Sequence, residues 1–302
     1  MNAREWALLI FTILAQLAIG MLLVLLIIRA YAARKVGIEQ AAQLTNVPIY
    51  VAVLSMLLAL VASLFHLGKV SHVIGAVPNF ATSWLSREVV FAVIFLVVAA
   101  IYAFLIWRKV GSDSLHTAIG WIAAVIGLVL EYSQGRTYML PAQPAWNTWA
   151  TPVTFFVTAL LLGVLGAATA MMANFAGMQK KDSALHSFVG ITLQRIAISA
   201  ITLLGIEFLV LPVYMAYLST QGEAAIRTLN MMIGSYGVVL VIRLILVFVG
   251  AGVLTAYLHR NTSIPERETT LANLAYSAFV LVLVSEVLGR FVFYAAHYRI
   301  GI

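Results

Sequence analysis

Histidine and a partly desolvated glutamate exchange protons near neutral pH, which suits them to general acid–base chemistry. In this sequence one of each brackets a gap between two long apolar stretches. Phe65-His66-Leu67-Gly68-Lys69 closes the first stretch, and Ser83-Trp84-Leu85-Ser86-Arg87-Glu88 opens the next. Ala59, Ala62, Ser63 and His66 fall on one helical face of small residues, which leaves His66 a cavity or a close helix neighbour. A lone interfacial His is often only packed. The acid on the following helix makes a proton-exchanging pair the expected reading. Ser83 or Ser86 suits a helix cap, and Glu88 in the first turn is either dipole-stabilised beside Arg87 or turned into a pocket.

A second constellation lies near the C-terminus. Glu286 and Arg290 are four residues apart on one helical face, and Tyr294 and His297 continue the stripe. Two roles fit: an intrahelical ion pair that fixes packing, or direct ligand contacts by either side chain. His66 and His297 share a depth, but they sit at helix ends, so haem ligation is not expected. His72, His116, His186 and His259 are expected in loops and solvated. The sequence shows no phosphate loop, dinucleotide motif, nucleophile triad or metal-ligand spacing.

The elements that must position these residues follow from composition. Of 302 residues 63% are hydrophobic and only 10% charged, against about 25% charged in soluble domains. Eight apolar stretches, each near bilayer length, run roughly Trp6–Ile28, Val47–Leu67, Val89–Trp107, Ala118–Tyr132, Val153–Phe175, Ile191–Leu211, Tyr236–Tyr257 and Leu271–Ala296. The fourth is the shortest. Residues 1–302 read as one polytopic membrane domain, an all-α bundle of eight transmembrane helices. The first stretch is longer than a signal-peptide core and is followed by Arg29, Arg34 and Lys35, so it reads as an uncleaved helix. Gly120, Gly127, Gly163, Gly166, Gly250 and Gly252 suit close helix approach.

The absence of Cys excludes disulfides, iron–sulfur clusters and thiolate zinc sites built from this chain alone. The net charge of +7 belongs to membrane topology rather than to nucleic acid. Loops after helices 1, 3, 5 and 7 hold nine Lys and Arg: Arg29, Arg34, Lys35, Arg108, Lys109, Lys180, Lys181, Arg260 and Arg267. The other side holds five: Arg4, Lys69, Arg136, Arg227 and Arg299. The first side is therefore expected in the cytoplasm, with both termini periplasmic.

Charged groups inside membrane helices mark function by default. Glu88, Glu131, Glu207, Glu286, Arg243 and Arg290 all fall in the outer leaflet, and Arg195 alone lies toward the cytoplasmic half. A transporter needs polar groups through the full bilayer depth, which this pattern lacks. A polar pocket open to one side fits better, with apolar and aromatic walls for an amphipathic, lipid-soluble ligand. A quinol is such a ligand. Its oxidation releases two protons, for which His66 and Glu88 are the expected acceptors, and two electrons, which must leave to a partner subunit. Arg and Tyr groups would orient the head.

Several segments together resemble the membrane-anchor subunit of the dimethyl sulfoxide reductase family. They are the His66 and Glu88 segments, Glu5-Trp6, Ile10-Phe11-Thr12 and Gln16, Arg136-x-Tyr138, Trp149-x-Thr151-Pro152 with Phe155-Phe156, and Glu286-x-x-Gly289-Arg290-x-x-Phe293-Tyr294-x-x-His297. The resemblance spans nearly the whole chain. It implies an eight-helix anchor of the bacterial inner membrane without haem, oxidising menaquinol near the periplasmic face. It implies partners too: an iron–sulfur subunit, and a molybdopterin catalytic subunit beyond it. The family's quinol-site His and Glu fall on His66 and Glu88, with Arg136, Tyr138, Glu286, Arg290 and Tyr294 as further quinol-binding candidates. Arg87 stands where a small polar residue is expected, and the 212–233 loop diverges. These departures leave the terminal acceptor open. A quinone-reducing anchor of a dehydrogenase has the same site with reversed electron flow, and a purely structural anchor has no site.

Overall fold

The computed structural model describes residues 3–67, 75, 77–178, 183–262 and 268–300. Lys69, His72, Lys180, Lys181 and Arg267 lie outside the described residues, as do the side chains of Arg4 and His66. Among the described residues the regular structure is helical, and eight helices are long and apolar enough to span a bilayer.

The spans are α1 (Ala3–Lys35), α2 (Ile38–Leu67), α3 (Trp84–Arg108), α4 (Asp113–Thr137), α5 (Ala150–Ala176), α6 (Ser183–Thr220), α8 (Gly237–Asn261) and α9 (Glu268–Ala295). A short α7 (Glu223–Asn230) lies between α6 and α8. The α1–α2 and α3–α4 turns are tight. Gly37 and Gly111 adopt φ values of +97° and +94°, which glycine reaches without strain. Ser112 caps α4 by accepting from the Leu115 amide, and Ser83 caps α3 by accepting from that of Ser86.

Two helices form the axis of the bundle. In α1 and in α5, 78% of the most apolar 18-residue window is buried, against 22–39% in the other six spans. They meet at Gly20 and Gly163. A Cβ on Gly20 would stand 1.9 Å from the Ala159 carbonyl oxygen, and one on Gly163 would stand 2.3 Å from the Gly20 carbonyl carbon. Backbone-to-backbone contact of this kind drives helix association in lipid, where the hydrophobic effect between helices is absent. Gly20→Ala should therefore lower the thermal unfolding midpoint and membrane accumulation, at a cost of about 1–3 kcal/mol. Gly205→Ala, where an added Cβ meets nothing within 4 Å, should change neither. Equal stability of the two variants would contradict this crossing.

Several boundaries differ from the sequence expectation. The fourth helix runs from Asp113 to Thr137, well beyond its apolar stretch. Its polar final turns are held because Ser133 and Thr137 donate to the Val129 and Ser133 carbonyls, while Gly135 lies so close to α5 that a Cβ there would stand 3.0 Å from Pro152 Cα. The sixth continues past Pro212 to Thr220. Loss of one backbone hydrogen bond at Pro212 is offset by packing, with Leu218 fully buried and the Tyr214 hydroxyl donating to the Ala145 carbonyl. Glu207 thus sits 13 residues short of its helix end rather than near it. His116, His186 and His259 are helical, not loop residues. His116 is buried with Nε2 2.8 Å from the Val110 carbonyl, and His186 Nε2 lies 2.6 Å from Glu268.

Both described ends of the chain meet at one end of the bundle, where Trp6 stacks on Phe291 with ring centroids 6.0 Å apart. Arg29, Arg34, Lys35, Arg108, Lys109 and Arg260 gather at the opposite, basic end.

Candidate functional site

A cavity of about 530 Å³ opens near the termini end between α2 and α3. Helical periodicity builds its walls. Leu57, Leu60, Val61 and Leu64 repeat at i, i+3, i+4 and i+7 on α2, and Leu85, Glu88, Val89, Ala92, Val93 and Leu96 do so on α3. Leu8 and Phe11 of α1 form the back, and Thr137, Tyr138, Leu140 and Trp146 close the termini end. Leu57, Val61, Leu64, Leu85 and Val93 are all more than 40% exposed. In a membrane that exposure faces lipid, so the cavity has a lateral entrance between α2 and α3.

Among the described residues, Glu88 is the one carboxylate in this lining. It is 3% exposed and faces the Thr137 hydroxyl. Arg87 does not pair with it. The Arg87 guanidinium donates to the Phe80 and Ala81 carbonyls and stacks 4.2 Å from the Trp84 ring. Arg136 approaches Trp84 too, at 5.1 Å, and does not line the cavity. His66 ends α2 one turn beyond Ser63, a cavity-lining residue.

Behind Tyr138 the polar groups continue inward. Its hydroxyl lies 2.7 Å from that of Tyr294. The Tyr138 ring packs among Trp146, Phe155 and Phe293 at 5.4–5.5 Å. Trp146 is fixed by its indole N–H donating to the Phe293 carbonyl and by Thr151 donating to the Trp146 carbonyl. Arg290 lies 3.6 Å over the Phe155 ring and donates to Gln16 Oε1 at 2.9 Å, and Gln16 Nε2 donates to Glu131 at 2.8 Å. This relay links α9, α1 and α4 through fully buried Gln16 and Glu131.

Of the two roles open to Glu286 and Arg290, the intrahelical ion pair is not formed. Glu286 instead accepts from Thr158 Oγ1 at 2.6 Å and faces Arg243 at 3.8 Å, while Arg243 is hydrogen-bonded to Glu207. An i,i+4 pair contributes only about 0.2–0.5 kcal/mol on a helix surface, and buried charges are better satisfied by several hydrogen bonds across helices. Gly289 allows the arrangement, because a Cβ there would stand 2.4 Å from Arg243 Nε. Glu286, Arg243 and Arg290 line a second cavity of about 90 Å³ with Thr154 and Thr158, and Trp146 also borders it. That volume suits a few waters, not a quinol head. Glu286 Oε1 and Arg243 Nε, which lack hydrogen-bond partners among the described residues, point to such waters.

A family model described as the DMSO reductase anchor subunit matches residues 1–296. The chain belongs to that family. It is 24% identical to the anaerobic dimethyl sulfoxide reductase protein YnfH of Escherichia coli over 302 residues, covering 99% of this chain and 96% of the relative. It is 25% identical to the C subunit of the anaerobic dimethyl sulfoxide reductase of the same organism, with 99% and 96% covered. The corresponding C subunit of Haemophilus influenzae is 24% identical, with 98% and 96% covered. Family membership and eight apolar helices make this protein a multi-pass anchor subunit of the bacterial inner membrane.

Within this anchor, the residues singled out from sequence separate into two groups. Glu88 and Tyr138 share the large cavity, with Tyr294 one hydrogen bond behind. Glu286 and Arg290 border the small one. Sequence reasoning missed Thr137, Thr158 and the dual role of Trp146. Thr137 follows Arg136 within the Arg136-x-Tyr138 motif, which was the available signal. Thr158 had none, being one of four threonines in an apolar helix.

Proposed function

We propose that this chain is the quinol-oxidising anchor of a respiratory molybdoenzyme. In this reading it binds menaquinol in the α2–α3 cavity and passes electrons to an iron–sulfur subunit, which feeds a molybdopterin catalytic subunit. The observation that carries the reading is Glu88, a buried carboxylate opening into a lipid-accessible cavity whose walls are otherwise mostly apolar. The volume lies within the range of small-molecule sites, about 300–1,000 Å³. The termini end faces the periplasm, by the excess of Lys and Arg at the other end.

Menaquinol supplies two electrons and two protons. The protein's own residues supply the rest. Glu88 accepts a hydrogen bond and then a proton from one hydroxyl, with the Thr137 side chain beside its carboxylate. His66, from the end of α2, serves the other hydroxyl. The exposed stripes of α2 and α3 hold the isoprenoid tail in the lateral entrance and keep water out. Tyr138 closes the cavity above Glu88, and its hydrogen bond to Tyr294 fixes the hydroxyl's direction. Arg290 and Glu286 hold this wall in place through Phe155, Gln16 and Thr158.

Affinity purification of the protein in mild detergent tests the assembly. Two larger chains should co-purify with molybdenum, iron and a bound quinone. A lone chain lacking all three would overturn the reading.

A further inference from the structure

Glu131, Glu207, Glu286, Arg243 and Arg290 are each hydrogen-bonded to a side chain on another helix. Arg195 of α6 is not. It is exposed on the lateral face, and among the described residues it has no carboxylate within ion-pair distance and no hydrogen-bond acceptor. Its one close partner is the face of Tyr31 on α1, 4.4 Å from the guanidinium. Arg29, by contrast, is occupied by Thr45 and Asn46.

Arg195 stands at the head of a groove of about 450 Å³ between α1, α5 and α6. Thr192, one turn earlier on the same face, also lines it. Thr192 is 5% exposed and its hydroxyl has no hydrogen-bond partner among the described residues. Tyr31 lies four residues before the end of α1, about 6 Å along the axis, at the basic end of the bundle. From there the groove runs about 12 Å toward mid-bilayer, to Leu23 and its apolar neighbours Val24, Leu160 and Leu203. A cation and an unpartnered hydroxyl therefore stand at headgroup depth, above an apolar channel of acyl-chain dimensions.

We propose that this groove is a binding site for one anionic phospholipid. Its phosphate accepts from the Arg195 guanidinium and the Thr192 hydroxyl, and one acyl chain lies along α1 and α6. Charge complementarity selects the occupant. A zwitterionic lipid brings its own cation to the phosphate, and a neutral quinone has no charge for Arg195 to meet. Basic clusters at a membrane surface attract anionic headgroups in the same way. The site stands apart from the α2–α3 cavity and does not depend on quinol chemistry.

Native mass spectrometry of the delipidated, detergent-solubilised complex tests it. The probes are phosphatidylglycerol and phosphatidylcholine with identical acyl chains. One phosphatidylglycerol should be retained per anchor subunit, at least about fivefold more tightly than phosphatidylcholine. Arg195→Gln should abolish that preference, Arg195→Lys should keep part of it, and Ser199→Trp, which fills the groove, should weaken retention of both lipids. Glycerol 3-phosphate should not displace the lipid. Equal retention of the two lipids by the native complex, an unchanged preference in Arg195→Gln, or displacement by glycerol 3-phosphate alone would each overturn the proposal. If Arg195→Gln fails to assemble, the native comparison and Ser199→Trp still decide.

Discussion

Glu88→Gln in the assembled complex should lower menaquinol-dependent reduction by about 10²–10⁴-fold, the usual contribution of a positioned acid–base group. Glutamine keeps the volume of the side chain, and its amide N–H can donate to the Thr137 oxygen, so the cavity wall should stand. What it loses is the ability to take a proton. An artificial electron donor to the catalytic subunit bypasses the anchor, and its rate should be unchanged. That split separates a failed quinol reaction from failed assembly. His66→Ala should show the same split, because the two residues are proposed to serve the two hydroxyls of one quinol. A wild-type quinol rate in Glu88→Gln would remove this carboxylate from the chemistry.

Arg243→Met should nearly eliminate the folded protein from the membrane. Arg243 is the guanidinium between Glu207 and Glu286, whose side chains are only 6% and 3% exposed. Its removal leaves two carboxylates facing each other in a low-dielectric interior. Breaking a buried pair in this way costs about 3–5 kcal/mol, a large part of a typical stability. The defect is electrostatic, so it should be reversible without restoring the arginine. Arg243→Met combined with Glu207→Gln and Glu286→Gln should recover accumulation and the thermal midpoint. Normal accumulation of the single variant, or no recovery in the triple one, would contradict the account of this cluster.

The spans were legible in the sequence because bilayer thickness imposes a length and lipid imposes apolarity, and both show as uninterrupted hydrophobic runs. Helix ends were less legible. Pro212 and the polar Ser133-Gln134 read as stops, yet both lie inside helices held by packing from distant residues. The stripe that carries Glu88 could be read, since its period is local. The partners of the other charges could not. Gln16 lies 115 residues from Glu131 and 274 from Arg290, and Thr158 lies 128 from Glu286. The i,i+4 rule gave Glu286 and Arg290 to each other because it sees one helix at a time. In the bundle Glu286 turns toward α5 and α8, and Arg290 toward α1. The Gly20–Gly163 crossing was half visible: Gly163 stood out among small residues, while its counterpart on α1 did not.

Quinol is proposed to bind between α2 and α3 beside Glu88. Photolabelling of the intact complex with an azido-naphthoquinone, followed by peptide mapping, tests this most directly. The label should fall on peptides carrying Leu60–Leu64, Leu85–Val93 or Thr137–Leu140, and added menaquinol should displace it. Labelling confined to the small cavity beside Glu286, or to faces of the bundle away from α2 and α3, would contradict the assignment.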